Sequence, residues 1–193
     1  DFKEIYKSLN KSKFKKNSEI LITGCGGFLG YYLVNFFLIY SENLNIKKVI
    51  GIENNLTKNH WLNKTKKKFK EKFKLLNLDI SNDKDIIKIE KIKFNYIIHA
   101  ASIASPTFYR KFPIQTIKAN VLGLIKLLDI SVRNKIKSFL FFSSSEIYGD
   151  PDRNNIPTKE SYNGNVNILG PRACYDESKR IGETICYNYF NEY

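Results

Sequence analysis

Methionine is absent from all 193 residues, and the chain opens on Asp1, which reads as a processed or trimmed sequence. Cysteine is scarce: Cys25, Cys174 and Cys186 make an odd number with no C-x-x-C pair. That count argues against a disulfide framework and against a metal site, and it fits a reducing, cytoplasmic setting. No apolar run reaches the roughly 18 residues that a membrane span needs. The longest stretch, residues 31–40, is interrupted by Asn35. The lysine-rich N-terminus has no apolar core behind it, so no signal peptide is expected within the chain. Acidic residues are also short, 19 against 32 Lys and Arg, for a net charge of +13. Asn, Ile and Lys are abundant throughout, so the basicity reads as compositional bias. The dense run Lys64, Lys66, Lys67, Lys68, Lys70, Lys72 and Lys74 reads as a solvated face. A polyanion-binding face is the alternative, but it would lack the interleaved stacking aromatics of a nucleic-acid binder. No nucleic-acid or membrane partner is expected; an anionic nucleotide substrate would be steered by the same field.

What is present is an alternation of apolar runs. Phe2, Ile5, Tyr6 and Leu9 stand at helical spacing and make residues 1–18 an N-terminal helical extension. Strands are expected at 19–23, 48–53, 74–78, 96–100 and 138–143. Helices are expected at 28–40, 83–89, 113–134 and 175–189, with a short one inside 54–70. Strands alternating with helices define an α/β class with a doubly wound parallel sheet, here one domain over 19–193.

Glycines 24, 27 and 30 form G-x-x-G-x-x-G between the first strand and the first long helix. One glycine permits a tight turn, one lets the backbone approach a pyrophosphate, and one lets the helix sit close to the strand. The helix N-terminus then offers free N–H groups to phosphates. Glu53 closes the second strand, where a carboxylate accepts from ribose hydroxyls and repels a 2′-phosphate, so NAD is favoured over NADP. Asp79 follows the third strand, at a place suited to the adenine. Tyr175 and Lys179 are four apart and share one face of a predicted helix. A neighbouring ammonium is expected to lower the phenol pKa and so let Tyr175 handle a hydroxyl proton. Ser144, Ser145 and Glu146 follow the fifth strand, at the sheet edge where ligands bind. His99, His60, Trp61 and Cys174 read as packing or surface residues.

Three stretches together, Thr23 to Gly30, Ser143 to Pro151 and Gly170 to Arg180, resemble the extended short-chain dehydrogenase/reductases of the NAD-dependent epimerase/dehydratase family. The segment Gly170-Pro171-Arg172-Ala173-Cys174-Tyr175-Asp176-Glu177-Ser178-Lys179-Arg180 resembles the UDP-glucuronate decarboxylases most, as do Ala101 to Pro106, with Ile103 replacing a proline, and Ala119-Asn120. The resemblance covers about residues 19 to 193 and implies a Rossmann fold, NAD and a nucleotide-sugar substrate, a UDP-sugar first. It implies that Tyr175 is the base, Lys179 its activator and nicotinamide-ribose anchor, and Ser144 the hydroxyl partner, with Ser145 and Glu146 at the substrate. Ser144 stands where the family has Thr and keeps the hydroxyl. The cofactor set implied is Gly24, Gly27, Phe28, Leu29, Gly30, Glu53, Asn54, Asp79, Ile80, Ala100, Ala101, Ser102 and Asn120, with Tyr175 and Lys179. Related 4,6-dehydratases carry Asp-Glu where this chain has Ser145-Glu146, because a leaving C6 hydroxyl must be protonated. Serine leans the reading to decarboxylation, with 4-epimerase, 4,6-dehydratase or an NAD-binding module without turnover as alternatives. The resemblance also implies a homodimer and a further C-terminal part closing over the sugar. That part is expected to be missing from a chain ending at Tyr193, which alone should turn over little.

Overall fold

A computed structural model describes residues 1–9, 14–54 and 60–193. Parts of the expected extension at 1–18 and of the 54–70 connection lie outside the described residues. The chain forms two compact units. One comprises Asp1–Asp79, Lys84–Ala101 and Asn134–Leu140; the other comprises Ile80–Asp83, Ser102–Arg133 and Phe141–Tyr193.

The first unit is built on a sheet whose strands are β1 (Ser18–Thr23), β2 (Ile46–Glu53), β3 (Phe73–Asn77), β4 (Tyr96–His99) and β5, which starts at Ser138 and ends at Phe141, the first residue of the second unit. The strand order is β3-β2-β1-β4-β5, and β1 pairs in parallel with both β2 and β4. Leu21 lies opposite Ile50 on one side and Ile97 on the other. A parallel strand with two neighbours reads as a continuous apolar run, and Ile20, Leu21 and Ile22 are fully buried. Asn95 ties the strand entries together. Its Oδ1 accepts from the Glu19 N–H (2.8 Å), its own N–H donates to the Glu19 carbonyl (2.8 Å), and its carbonyl accepts from the Lys137 N–H (2.7 Å). The order reverses between β1 and β4, which makes their C-terminal ends the switch point where doubly wound sheets bind ligands.

Helix α2 (Phe28–Ile39) packs on β1 and β2 and buries Gly30, Val34, Phe36 and Leu38. Helix α1 (Phe2–Ser8) lies on α2 through Tyr6 stacked on Tyr40, ring centroids 4.3 Å apart. The lysine run is not one face. Helix α3 (His60–Lys68) carries Lys64, Lys66, Lys67 and Lys68, a turn carries Lys70 and Lys72, and Lys74 lies in β3. Lys72 is not merely solvated: its ammonium bonds Glu42 (2.9 Å) and Ser41 (3.1 Å). Helix α4 (Asp83–Glu90) precedes β4.

The second unit contains α5 (Pro106–Lys111), α6 (Pro113–Ile117), α7 (Leu124–Arg133) and α8 (Ala173–Glu192). Helix α5 was not expected; a proline at its first position, after Ser105, is its signal. The long helix expected over 113–134 is corrected. Its middle, Lys118–Gly123, widens into a π-helical turn between α6 and α7. Such turns give up regular bonding and persist where tertiary contacts hold them. Here Asn120 is fully buried with its amide on Ser178 of α8 (2.8 Å), and a Cβ on Gly123 would lie 3.0 Å from Ile80. Strand β5 stops at Phe141, so Ser143 and Ser144 lie beyond it, followed by a 3₁₀ turn at Ser145–Tyr148.

Candidate active site

In the first unit the glycine loop links β1 to α2. Gly24 has φ +66°, and a Cβ there would fall 2.6 Å from the Ala101 Cα, so the β1 turn and the exit of β4 touch backbone to backbone. Gly30 is closed in the same way: a Cβ would sit 2.4 Å from the Cys25 carbonyl oxygen. Gly27 differs. Among the described residues a Cβ there would meet only the Gly24 carbonyl oxygen, at 3.3 Å. It is also the N-cap of α2, which no side chain caps. Two glycines therefore close the loop, and the third leaves room over an uncapped helix N-terminus, which is the cradle a pyrophosphate requires. Phe28 and Leu29 follow, Phe28 strongly exposed.

Glu53 is buried at the end of β2, and its Oε2 accepts the Gly26 N–H at 2.8 Å. The carboxylate thus braces the glycine loop. Burial, with the Glu53 charge adding to it, holds Cys25 strongly in the thiol form. Asn54 donates to Asp79 (3.1 Å), and the Asp79 N–H donates to Asp85 (3.0 Å), which places these two expected contacts side by side. Thr23 receives the Ala101 N–H (3.2 Å) and bonds His99 Nδ1 (2.7 Å), so His99 is a buried packing residue and Ala100 and Ala101 are fixed beside Gly24.

In the second unit α8 carries Tyr175 and Lys179, both buried. The Tyr175 ring stacks on Tyr109 of α5, centroids 5.1 Å apart at 12°. Burial pushes the phenol above its ordinary value; a hydrogen bond from Ser144 pulls the other way, while Tyr109 and Asp176 push it further up. The ammonium of Lys179 donates to the Phe142 carbonyl (2.7 Å) and lies 4.7 Å from the Phe141 ring centroid. Burial brings it down to about 8. The expectation that Lys179 lowers the phenol pKa is therefore corrected. Lys179 faces the carbonyl and the aromatic rings, and desolvation dominates Tyr175. Ser144 also accepts the Glu146 N–H (3.2 Å), and Ser145 is exposed. Glu146 forms an ion pair with Arg172, which also faces the buried Asp176 (3.6 Å). Asn120 turns its amide to Ser178, and its buried Oδ1 has no partner among the described residues. Ile80 is buried, and Ser102 is half-buried with an unpartnered hydroxyl. Tyr109, Asp176 and the Arg172–Glu146 pair were not foreseen as site features. The Tyr109–Tyr175 and Arg172–Glu146 contacts cross tens of residues, spacing alone does not show that Asp176 is buried, and only Pro106 signalled the helix bearing Tyr109. Among the described residues no group of His, Cys, Asp and Glu could hold a metal. No helix among them is long and apolar enough to cross a membrane.

Residues 20–193 match the NAD dependent epimerase/dehydratase family, and the chain belongs to it. NAD is the cofactor of that family, and the glycine cradle and Glu53 fit it. The chain is 35% identical over 178 residues to UDP-glucuronic acid decarboxylase 1 of Danio rerio, covering 92% of this chain and 39% of that protein. It is 36% identical over 189 residues to UDP-glucuronic acid decarboxylase 5 of Arabidopsis thaliana, covering 96% and 50%. It therefore spans about two fifths to one half of the length of these relatives. Among solved structures it resembles a UDP-N-acetylglucosamine 4-epimerase from Methanobrevibacter ruminantium in complex with UDP-N-acetylmuramic acid, with TM-score 0.73 and 27% identity, covering 92% of this chain and 52% of that one. The fold is also that of the Thermus thermophilus UDP-glucose 4-epimerase in complex with NAD, TM-score 0.71 at 22% identity, covering 91% and 51%.

Two outcomes follow from this geometry. Gly27→Val should keep the fold yet abolish NAD binding, because its side chain fills the cradle, whereas Gly30→Ala should lower the melting temperature. Calorimetry and thermal melts check this, and NAD binding retained by Gly27→Val would contradict it. The second concerns Lys179. Its folded pKa of about 8 lies below the ordinary lysine value of 10.5, so between those pH values the unfolded chain holds more protons. The buried ammonium costs its full amount below pH 8, and stability recovers as pH rises through that window. Urea unfolding should show the stability of wild type gaining on Lys179→Met by roughly 2 kcal/mol between about pH 7 and pH 10. Parallel curves would contradict it.

Proposed function

We propose that this chain is the NAD-binding and proton-transfer part of an enzyme that decarboxylates UDP-glucuronate through a C4-keto intermediate. The observation that carries the reading is a turn on which Ser145 and an arginine-paired Glu146 follow Ser144, the side chain that draws the buried Tyr175 phenol back down. That arrangement handles a hydroxyl proton and offers no acid at the Ser145 position, where loss of a C6 hydroxyl would need one. The names of the relatives at about 35% identity support the substrate class.

NAD, when bound, supplies the hydride acceptor and later the donor. Gly24, Gly27 and Gly30 with the α2 N-terminus would hold its pyrophosphate, and Glu53 its adenosine ribose. Tyr175 acts in its phenolate form: its own proton goes first to solvent, and it then takes the C4 hydroxyl proton as C4 is oxidised to the carbonyl. Ser144, whose one hydroxyl proton is turned to the Tyr175 phenol, limits the drift of that phenol. The C4 ketone makes the sugar a β-keto acid. The C5–C6 bond then breaks, CO2 leaves, and its bonding electrons pass into the enolate at C4. A proton adds at C5, and Tyr175 returns its proton as C4 is reduced to the alcohol. The resting phenol, held high by burial, is a ready donor for that last step. The same reading places the enzyme in the cytoplasm, as a homodimer, with Asn54, Asp79 and Ala100 near the adenine side of NAD.

The complete gene product, incubated with UDP-glucuronate and NAD, should release CO2 and form a UDP-pentose. Tyr175→Phe should keep NAD binding and lose about 10²–10⁴ in rate, the usual worth of general acid–base catalysis. A C4 epimer without CO2 would establish the epimerase reading instead, and a 4-keto-6-deoxy product the dehydratase reading. The 193-residue chain alone should show little turnover.

A further inference from the structure

The turn that carries Ser144, Ser145 and Glu146 is only four residues long as a 3₁₀ helix and lies beyond the end of β5. Sheet bonds do not fix its position. Arg180, the residue after Lys179 on α8, reaches it. Its Nη1 donates to the Ile147 carbonyl at 2.7 Å and to the Asn163 carbonyl at 2.9 Å, while its Nε faces Glu177 at 3.6 Å. The two loops so gripped are also stitched to each other. The Asn165 N–H donates to the Tyr148 carbonyl (2.8 Å), the Asp150 N–H to the Asn165 carbonyl (3.0 Å), and the Asn165 side chain to the Asp150 carbonyl (3.0 Å). One guanidinium on the catalytic helix therefore holds the backbone of both. Arg172 grips the same turn by a different handle, the Glu146 carboxylate.

A planar guanidinium can satisfy two carbonyls at once with little loss of freedom, which a single flexible ammonium does less well. Tyr109 covers one face of the Tyr175 ring, and Ser144 on the turn is the group that draws its phenol down. We propose that Arg180 is a positioning residue for the proton transfer: through the Ile147 carbonyl it keeps the Ser144–Tyr148 turn seated, so that the Ser144 hydroxyl stays on the Tyr175 phenol. The proposal rests on the reading above for the reaction it serves, but its test needs no turnover.

The phenol itself is the reporter. The charged and titratable groups around it are Tyr109 on α5, Arg172, Asp176 and Lys179 on and beside α8, and Glu146 on the turn; Arg180 does not touch the ring. Tyrosines labelled at Cζ with carbon-13 are titrated by NMR in the 193-residue chain, with the Tyr175 signal assigned from Tyr175→Phe. Arg180→Gln should raise the Tyr175 midpoint by roughly half a pH unit, the worth of one weakened hydrogen bond. Arg180→Lys should fall between wild type and Arg180→Gln. Gly164→Ala gives a second route. Gly164 has φ +89°, and a Cβ there would crowd both Arg180 Nη1 and, at 2.9 Å, the Ile147 carbonyl oxygen, so it loosens the Arg180–Ile147 bond without removing the guanidinium and should raise the same midpoint. If Arg180→Gln fails to fold, Arg180→Lys and Gly164→Ala carry the test. A Tyr175 midpoint unmoved or lowered in folded variants overturns the proposal. A complete gene product that releases no CO2 would overturn the decarboxylase reading and leave this titration standing.

Discussion

The first unit depends on one close approach. At Gly24 the turn leaving β1 meets the backbone leaving β4, with 2.6 Å between an added Cβ and the Ala101 Cα. No side chain fits there, so the turn must curl back and launch α2 directly over the switch point of the sheet. Thr23 secures the other side of the contact by taking the Ala101 N–H and bonding the buried His99. Glu53 then holds the loop from β2 through the Gly26 N–H. The loop shape thus follows from one steric condition and leaves the α2 N-terminus open beside a carboxylate.

The second unit depends on burial of a different kind. Tyr175 and Lys179 are both taken out of water, and burial moves each toward its neutral form: the phenol up, the ammonium down to about 8. The phenol therefore rests protonated, as the proton donor of the pair, while the ammonium gives up its proton more readily than an exposed lysine does. Ser144 opposes the shift on the tyrosine, while the Phe142 carbonyl and the Phe141 ring receive the lysine. The surrounding ties are side chain to backbone or side chain to side chain, so the site is assembled by tertiary contacts laid over α8.

The strands of highest burial were legible because burial on both faces leaves an unbroken apolar run, as in Ile20 to Ile22. The start of β2 was not, since Lys47 and Lys48 follow Ile46 and interrupt the run. The π turn inside the 113–134 helix leaves the helical periodicity nearly intact and is held by Asn120 on Ser178, 58 residues away, so local pattern carries no trace of it. The spacing of Tyr175 and Lys179 was legible as a shared helix face. The electrostatics were not, because spacing says nothing of how deep that face is buried or that the ammonium turns to the Phe142 carbonyl. Tyr109 was invisible for the same reason: its partner lies on another helix. Glycine spacing, by contrast, states a steric requirement directly, and backbone closes on Gly24 and Gly30 as that requirement demands.

The account stands or falls on the first unit being a site for NAD, with Glu53 reading the adenosine ribose. Calorimetric titration of the 193-residue chain with NAD and with NADP measures this most directly. A carboxylate at that place accepts from a 2′-hydroxyl and repels a 2′-phosphate. NAD should bind more tightly than NADP, and Glu53→Ala should narrow the gap. Equal or tighter binding of NADP by the unaltered chain would contradict the account.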